Sequence, residues 1–157
     1  MKRHILMGLV ASMSVASAAV AEMAPGDVMF EEGAVGQSLT GAAGNPDEGA
    51  AIIADKGLGN CVSCHALSAM PDVPFQGNVG PALDGVADRY EEAQIRGIVS
   101  NAKMTFEGTI MPAFYKTDGF IRPGDAYTGK APEGDLPPLL SASQIEDVVA
   151  YLVTLKE

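Results

Sequence analysis

The sequence contains only two cysteines and two histidines, no tryptophan, and half as many basic as acidic residues. Two cysteines are too few for a disulfide framework. Ten Lys and Arg against 20 Asp and Glu give a formal net charge of −10, which argues against binding to nucleic-acid phosphates or to an anionic membrane surface. No apolar run reaches the length of a membrane span, except at the very start. With 157 residues, the chain is expected to form one domain.

The first 21 residues are typical of a secretory signal peptide. A basic start at residues 2–4 precedes a short apolar stretch and a run of small residues. We expect cleavage after Ala21 and a periplasmic protein without a membrane anchor, a retained anchor being the alternative. Cleavage also removes His4, so His65 is then the only histidine of the exported chain.

The rest of the chain divides into an arm and a helical domain. Residues 22–46 are rich in Gly, Ala and Pro, and they are expected to form an extended arm that is too polar and flexible to bury a core alone. Residues 47–157 are expected to form an all-α domain, with helices at about 47–56 and 91–101. A long proline-containing loop at 112–138 separates the second helix from the last, and such a loop is usually functional. The apolar positions that predict the first two helices are Ala50, Ile53, Ala54 and Gly57, then Ala93, Ile95, Ile98 and Val99.

The C-terminal helix has the clearest pattern in the sequence. Ser143 and Glu146 have the spacing of a capping box at its start. The apolar stripe of this helix consists of Ile145, Val148, Val149, Leu152 and Leu155. We expect the first and last helices to cross near Gly49 or Ile53 on one side and Tyr151 on the other.

The segment Cys61-Val62-Ser63-Cys64-His65 is a C-x-x-C-H motif, the attachment motif of c-type haem. Each thiol adds across one haem vinyl group, and the histidine directly after the second cysteine then lies beneath the iron. Cys61 and Cys64 are therefore predicted to hold one covalent haem c, with His65 as an axial ligand of its iron.

Three alternatives use the same residues. A thioredoxin-like dithiol belongs at a strand-to-helix junction, whereas a helical pattern precedes this motif. A closed zinc site needs four ligands, so a carboxylate would have to join the two cysteines and His65. A disulfide between Cys61 and Cys64 would close too short a loop to constrain the unfolded chain much.

An iron bound by His65 has a sixth position, and methionine is the usual ligand there in electron-transfer haems. Met104 and Met111 both lie far enough beyond the motif to reach the opposite face of the haem. Pro112 holds the preceding residue out of helical geometry, which suits a ligand on a fixed loop and favours Met111. Met104 stays the alternative, although it also fits as core filler.

Other residues have candidate roles beside the haem. The second ring nitrogen of His65 needs a hydrogen-bond acceptor, and the carbonyl of Pro81 is the candidate because it lies in a restrained turn. Arg89, Tyr90 and Lys103 could reach the haem propionates, or could be ordinary surface side chains.

The order of these motifs resembles a class I cytochrome c. The resemblance covers about residues 47–155 and rests on the helix before the haem motif, the motif itself, the Gly80-Pro81 turn, Met111-Pro112 and the amphipathic last helix. Narrower segments at 78–90, 109–115 and 141–152, together with the arm, are similar to the SoxX cytochromes of the bacterial sulfur-oxidation (Sox) system.

This resemblance implies a fold, ligands and partners. The fold is the all-α class I cytochrome c fold around one covalent haem, with His65 and Met111 as iron ligands. The partner is a haem-bearing SoxA-type subunit, in a periplasmic heterodimer that conjugates thiosulfate to a carrier-protein cysteine, an L-cysteine S-thiosulfotransferase. Electrons pass on through haem to a downstream acceptor, another cytochrome, and no catalytic residue is expected in this chain.

Two other functions stay open at this point. One is a freely diffusing electron shuttle between periplasmic dehydrogenases and a terminal oxidase, although a shuttle gains little from the arm and the long loop. The other is a gas sensor or peroxidase, which would require a methionine ligand that leaves the iron easily.

Overall fold

The computed structural model describes residues 21–121, 123 and 129–157. Its helices are α1 (Pro46–Ala54), α2 (Val86–Arg89), α3 (Glu92–Asn101) and α4 (Ala142–Leu152), with 3-10 turns at Pro25–Asp27, Cys61–Ser63 and Ala102–Met104. Within the described residues the only β feature is an isolated bridge between Glu31 and Ala34, so the expected all-α class is confirmed. No helix in these ranges has both the length and the apolar character needed to span a membrane. The predicted signal peptide lies outside the described residues, apart from Ala21.

The core is built where α1 crosses α4, with α3 packed against α4. Gly49 makes this crossing possible, because a Cβ at that position would collide with the main-chain carbonyl of Asp147 and press against Tyr151. The expected crossing of the first and last helices is thus confirmed. Of the four positions predicted for the apolar face of α1, only Ile53 is buried, while Ala50 and Ala54 are half-buried and Gly57 is exposed beyond the end of the helix. The other buried isoleucine of α1 is Ile52, which the pattern did not include.

The predicted start of the last helix is also wrong. The N-cap is Ser141, whose hydroxyl accepts a hydrogen bond from the Gln144 N–H, while the Gln144 side chain accepts from the Ser141 N–H. Ser143 and Glu146 have the same spacing two residues further along the chain, but the helix does not start there. Leu140, directly before the N-cap, is buried and donates its N–H to the Phe114 carbonyl, which fixes the helix start at Ser141. The helix ends at Leu152, before the last residue of the predicted stripe.

The arm contributes directly to the core. Val35 and Leu39 are each 1% exposed. Both are joined to a buried ion pair, in which Arg96 Nε of α3 lies 2.9 Å from Glu146 Oε1 of α4. Leu39 donates its N–H to Glu146, and Arg96 donates to the carbonyl of Val35. The arm therefore does not bury a core alone, as expected, but it packs as part of the common core rather than as a flexible extension.

Arg96 keeps its charge in the core. Burial lowers the pKa of Arg96, but the hydrogen bonds that it donates to Glu146 and Glu92 outweigh burial and raise that pKa above its ordinary value. Glu146 is buried with its carboxylate satisfied by the guanidinium and a main-chain N–H, as a buried charge requires.

Candidate haem site

The C-x-x-C-H segment forms a single tight turn. It begins after Asn60, which adopts the left-handed conformation with φ of 48°, and it continues as the 3-10 turn Cys61–Ser63. The N–H groups of Cys64 and His65 both donate to the carbonyl of Cys61. Residues three and four apart on such a turn share one face, so the two thiols and the imidazole are grouped together.

His65 is oriented by the turn that was singled out in the sequence. Its Nδ1 lies 2.6 Å from the carbonyl oxygen of Pro81, a distance that fits an N–H donating to that oxygen. With Nδ1 used in this way, Nε2 is the nitrogen left to bind iron.

The main chain at Gly80 packs against the imidazole ring of His65. A Cβ on Gly80 would lie 2.7 Å from His65 Nδ1 and 2.8 Å from its Nε2, closer than real Cβ contacts. The Gly80 N–H also donates to the carbonyl of Cys64 at 2.8 Å. The ring therefore packs flat against bare backbone, and only glycine at this position permits it.

Arg89 holds the same turn from outside. Its guanidinium donates to the carbonyls of Ala82 and Asp84 at 2.8 and 2.7 Å, while the Asp84 carboxylate accepts the N–H of Ser68. The sequence suggested a propionate role for Arg89, but its described contacts brace the Pro81 loop. Only its proximity in sequence to that loop hinted at this role.

The two candidate methionines differ in environment. Met111 is half-buried and packs against the core, whereas the Met104 side chain is 51% exposed. The loop that holds Met111 is tied to α3, because Tyr115 donates its N–H to the Ser100 carbonyl. Lys103 Nζ donates to the main-chain carbonyl of Met111 at 2.7 Å, a contact that the sequence did not reveal.

The Cys61 thiol is not suited to dithiol redox chemistry. The pKa of the Cys61 thiol is raised to about 11, mainly by burial and to a smaller degree by the neighbouring Cys64, while a main-chain hydrogen bond has a lowering effect. A reactive thiolate needs a lowered pKa. The two cysteines are free rather than paired with each other.

These residues fit a covalently attached haem. Two unpaired thiols and an imidazole with its second nitrogen hydrogen-bonded lie within five consecutive residues, as attachment and ligation require. Large apolar side chains are also exposed near both candidate ligands in sequence, at 58–79 and 104–110, which suits an apolar macrocycle. They are Leu58, Phe75, Val79, Met104, Phe106 and Ile110.

Comparison with known proteins identifies the family. The sequence matches the cytochrome c family over residues 46–156, so the chain belongs to the cytochrome c family. Its cofactor is haem c, which confirms the prediction made from the motif.

A solved structure narrows this classification. The chain is 64% identical to a chain in the crystal structure of SoxXA from P. pantotrophus, with a TM-score of 0.84, covering 87% of this chain and 100% of that one. It is therefore a SoxX-like cytochrome c, as the resemblance implied. No curated protein sequence matches the chain.

Proposed function

We propose that this chain is the electron-transfer subunit of a periplasmic SoxXA-type complex that conjugates thiosulfate to a cysteine of a carrier protein. The observation that carries the proposal is the 64% identity to a chain of the SoxXA crystal structure, over all of that chain. The partner is a haem-bearing SoxA-type subunit in a heterodimer. A downstream cytochrome takes the electrons.

Five residues form the proposed haem site. Cys61 and Cys64 form the thioethers, His65 and Met111 bind the iron, and the Pro81 carbonyl orients His65. Haem c supplies a reversible one-electron couple when it is bound. The contact between His65 Nδ1 and Pro81 at 2.6 Å supports the histidine's role, and the half-buried position of Met111 favours it over exposed Met104.

The protein residues in this proposal bind and orient, and they do not react with sulfur. Joining thiosulfate to a thiol forms one S–S bond and releases one proton and two electrons, so the electrons must leave one at a time through haem. Two protein ligands on the iron leave no open position for a substrate. Both cysteines and His65 are committed to the haem, so the bond-forming chemistry belongs on the partner subunit.

Exposed apolar surface supports a subunit rather than a free shuttle. Ile121, in the long loop, is 97% exposed. The long loop also forms one wall of a groove of about 440 Å³, lined mainly by proline and apolar side chains. Exposed apolar patches of this kind usually mark an interaction surface.

The proposal includes export to the periplasm, which the first 21 residues of the sequence predict. A signal peptide of residues 1–21 is cleaved after Ala21, which leaves the arm at 22–46 and the cytochrome domain at 47–157. N-terminal sequencing of the protein isolated from the periplasm tests both the compartment and the cleavage point.

Purification from the native host, grown on thiosulfate, tests the function. The tagged protein is isolated gently from the periplasm, and its companions are identified by mass and haem staining. A second haem-bearing chain at equal stoichiometry, with thiosulfate-dependent reduction of haem in the complex, is the expected result. A lone haem-bearing chain at low salt would overturn the subunit proposal in favour of the shuttle.

Replacing each methionine in turn tests the sixth ligand. Met111→Ala is expected to abolish the absorption band of methionine-ligated ferric haem and to shift the reduction potential, while leaving the haem covalently attached. Met104→Ala is the matched control and is expected to change neither. The opposite pattern would assign Met104 instead, and an unchanged spectrum in both variants would point to a different or displaceable ligand.

A further inference from the structure

We propose that Lys103 is a positioning residue for the sixth ligand, and that its ammonium group holds the loop of Met111 in place by binding that residue's main-chain carbonyl. This inference rests on the proposed ligation of the iron by Met111. It assigns to Lys103 a role in the stability of the iron–sulfur bond rather than in contact with the haem propionates.

The contact itself is short and charge-assisted. Lys103 Nζ lies 2.7 Å from the carbonyl oxygen of Met111. Hydrogen bonds from a charged donor are shorter and stronger than neutral ones. Because the carbonyl belongs to the residue whose sulfur would bind the iron, a contact that fixes this carbonyl also limits where the sulfur can lie.

Lys103 is well anchored for such a role. It lies in the 3-10 turn Ala102–Met104 that directly follows α3, and the side chain of Asn101 accepts its N–H. Ala102, beside it, is fully buried. The main chain that carries the ammonium is therefore part of the core, and the lysine side chain extends from a fixed base.

Besides the packing of the Met111 side chain against the core, the Met111 loop has few contacts to hold it. Ile110 is 80% exposed, and the Met111 N–H donates only to the nearby hydroxyl of Thr109. In the part of the chain that the structure describes, the Lys103 contact is the hydrogen bond that joins residues 107–113 to the end of α3. The next hydrogen bond to α3 is the one that the Tyr115 N–H donates to the Ser100 carbonyl, four residues after Met111.

A loosened loop has a measurable chemical consequence. An iron–sulfur bond competes with solvent and with added ligands for the sixth position, and outer groups that orient a ligand tune its binding. Loss of the Lys103 contact should raise the fraction of iron from which Met111 has dissociated. An external ligand such as imidazole would then bind ferric protein more readily.

The test uses haem-loaded protein and three variants. Lys103→Met removes the donor and keeps the stem, and Lys103→Arg keeps a charged donor. Lys116→Met is the matched control. Lys103 and Lys116 both line the groove beside the long loop, so this variant removes the same charge from the same groove. The Lys116 ammonium, however, donates to the Gly119 carbonyl. The two positions changed, Lys103 and Lys116, lie outside the buried core, and melting curves verify that each variant retains the fold.

Imidazole affinity is the main readout. Lys103→Met is expected to bind imidazole roughly three- to tenfold more tightly, the range that corresponds to one modest hydrogen bond. It should also weaken the ferric methionine band, with Lys103→Arg restoring most of both properties. Lys116→Met should leave imidazole affinity unchanged, even if loss of its charge shifts the reduction potential.

Two outcomes overturn the inference in distinguishable ways. If Lys103→Met and Lys116→Met behave alike while Met111→Ala abolishes the methionine band, the ligand assignment stands and the role of Lys103 is refuted. If Met111→Ala itself leaves the band and the imidazole affinity unchanged, the proposed ligation fails and this inference fails with it.

Discussion

The two sides of the proposed haem site are built differently. The hydrogen bonds of the histidine side, residues 59–85, join residues that are near in sequence, such as His65 and Pro81, 16 residues apart. The methionine side, residues 100–115, also makes hydrogen bonds to residues that are far away in sequence. Tyr115 donates to the carbonyl of Met23, 92 residues away, and Thr105 donates to that of Gly33, 72 residues away.

The two sides of the site therefore depend on different parts of the chain for their structure. Short loops cost less entropy to close than long ones, so the histidine side can be organised largely by its own segment. The methionine side requires the arm and α3 to be in place first. We therefore expect changes on the histidine side to have local effects, and changes in the arm or its contacts to weaken the methionine side and the core together.

Removal of both thiols is expected to have the largest effect. The double variant Cys61→Ala with Cys64→Ala loses both sulfurs, so no thioether can form and haem staining on a denaturing gel should disappear. Ser63→Ala lies in the same turn and loses only a hydrogen bond to Asn60, so it should stain normally. Retained staining in the double variant would refute attachment through this motif.

Breaking the ion pair that joins the arm to the core comes second. Glu146→Ala leaves Arg96 buried without its main partner and removes the acceptor of the Leu39 N–H. The expected loss is about 3–5 kcal/mol of unfolding free energy, measured by denaturant titration.

Glu92→Ala is the control for that change, because Glu92 also pairs with Arg96 but its side chain is 61% exposed. Its loss should cost no more than about 1 kcal/mol. Equal destabilisation by the two variants would contradict the importance assigned to the buried pair.

Adding a single methyl group at Gly80, on the histidine side, should have an intermediate effect on stability. Gly80→Ala places a Cβ against the His65 ring, and the expected loss of stability is about 1–3 kcal/mol, with an altered haem spectrum. Thermal melting of the haem-loaded protein measures it. Gly26→Ala, whose Cβ would meet nothing within 4 Å, should melt like the parent, and a similar loss in both would refute the packing argument.

The smallest expected effect is on the methionine side. Tyr115→Phe removes the hydrogen bond to Met23 and should cost about 1 kcal/mol. Burial, and to a lesser degree Glu22, raise the pKa of Tyr115 above its ordinary value of 10. The tyrosine's contribution is therefore fully present below pH 10 and is lost as the pH rises through the raised value.

Melting curves from pH 8 to pH 11 distinguish these two contributions of Tyr115. The parent should lose stability more steeply than Tyr115→Phe at the alkaline end, because the variant has no phenol to ionise at that position. Parallel curves would show that the Tyr115 hydroxyl does not favour the folded state.

Sequence reasoning succeeded where the determining contacts are close along the chain. The haem motif, the Gly80-Pro81 turn and α3 to within one residue all follow from short patterns of residue type and spacing. The same reasoning failed at the start of α4, because Ser141 and Ser143 offer equivalent local signals. The burial of Leu140 places the helix start at Ser141 rather than at Ser143.

By itself, therefore, the sequence determined the cofactor, the all-α class and the group formed by Cys61, Cys64 and His65, because covalent attachment requires a fixed spacing that is visible in five residues. Only the tertiary structure decided that the arm belongs to the core, that Glu146 pairs with Arg96 rather than capping α4, and that Lys103 binds the Met111 carbonyl. Each of these contacts depends on the relative placement of separate elements, which is set by the packing of the whole core and leaves no local pattern.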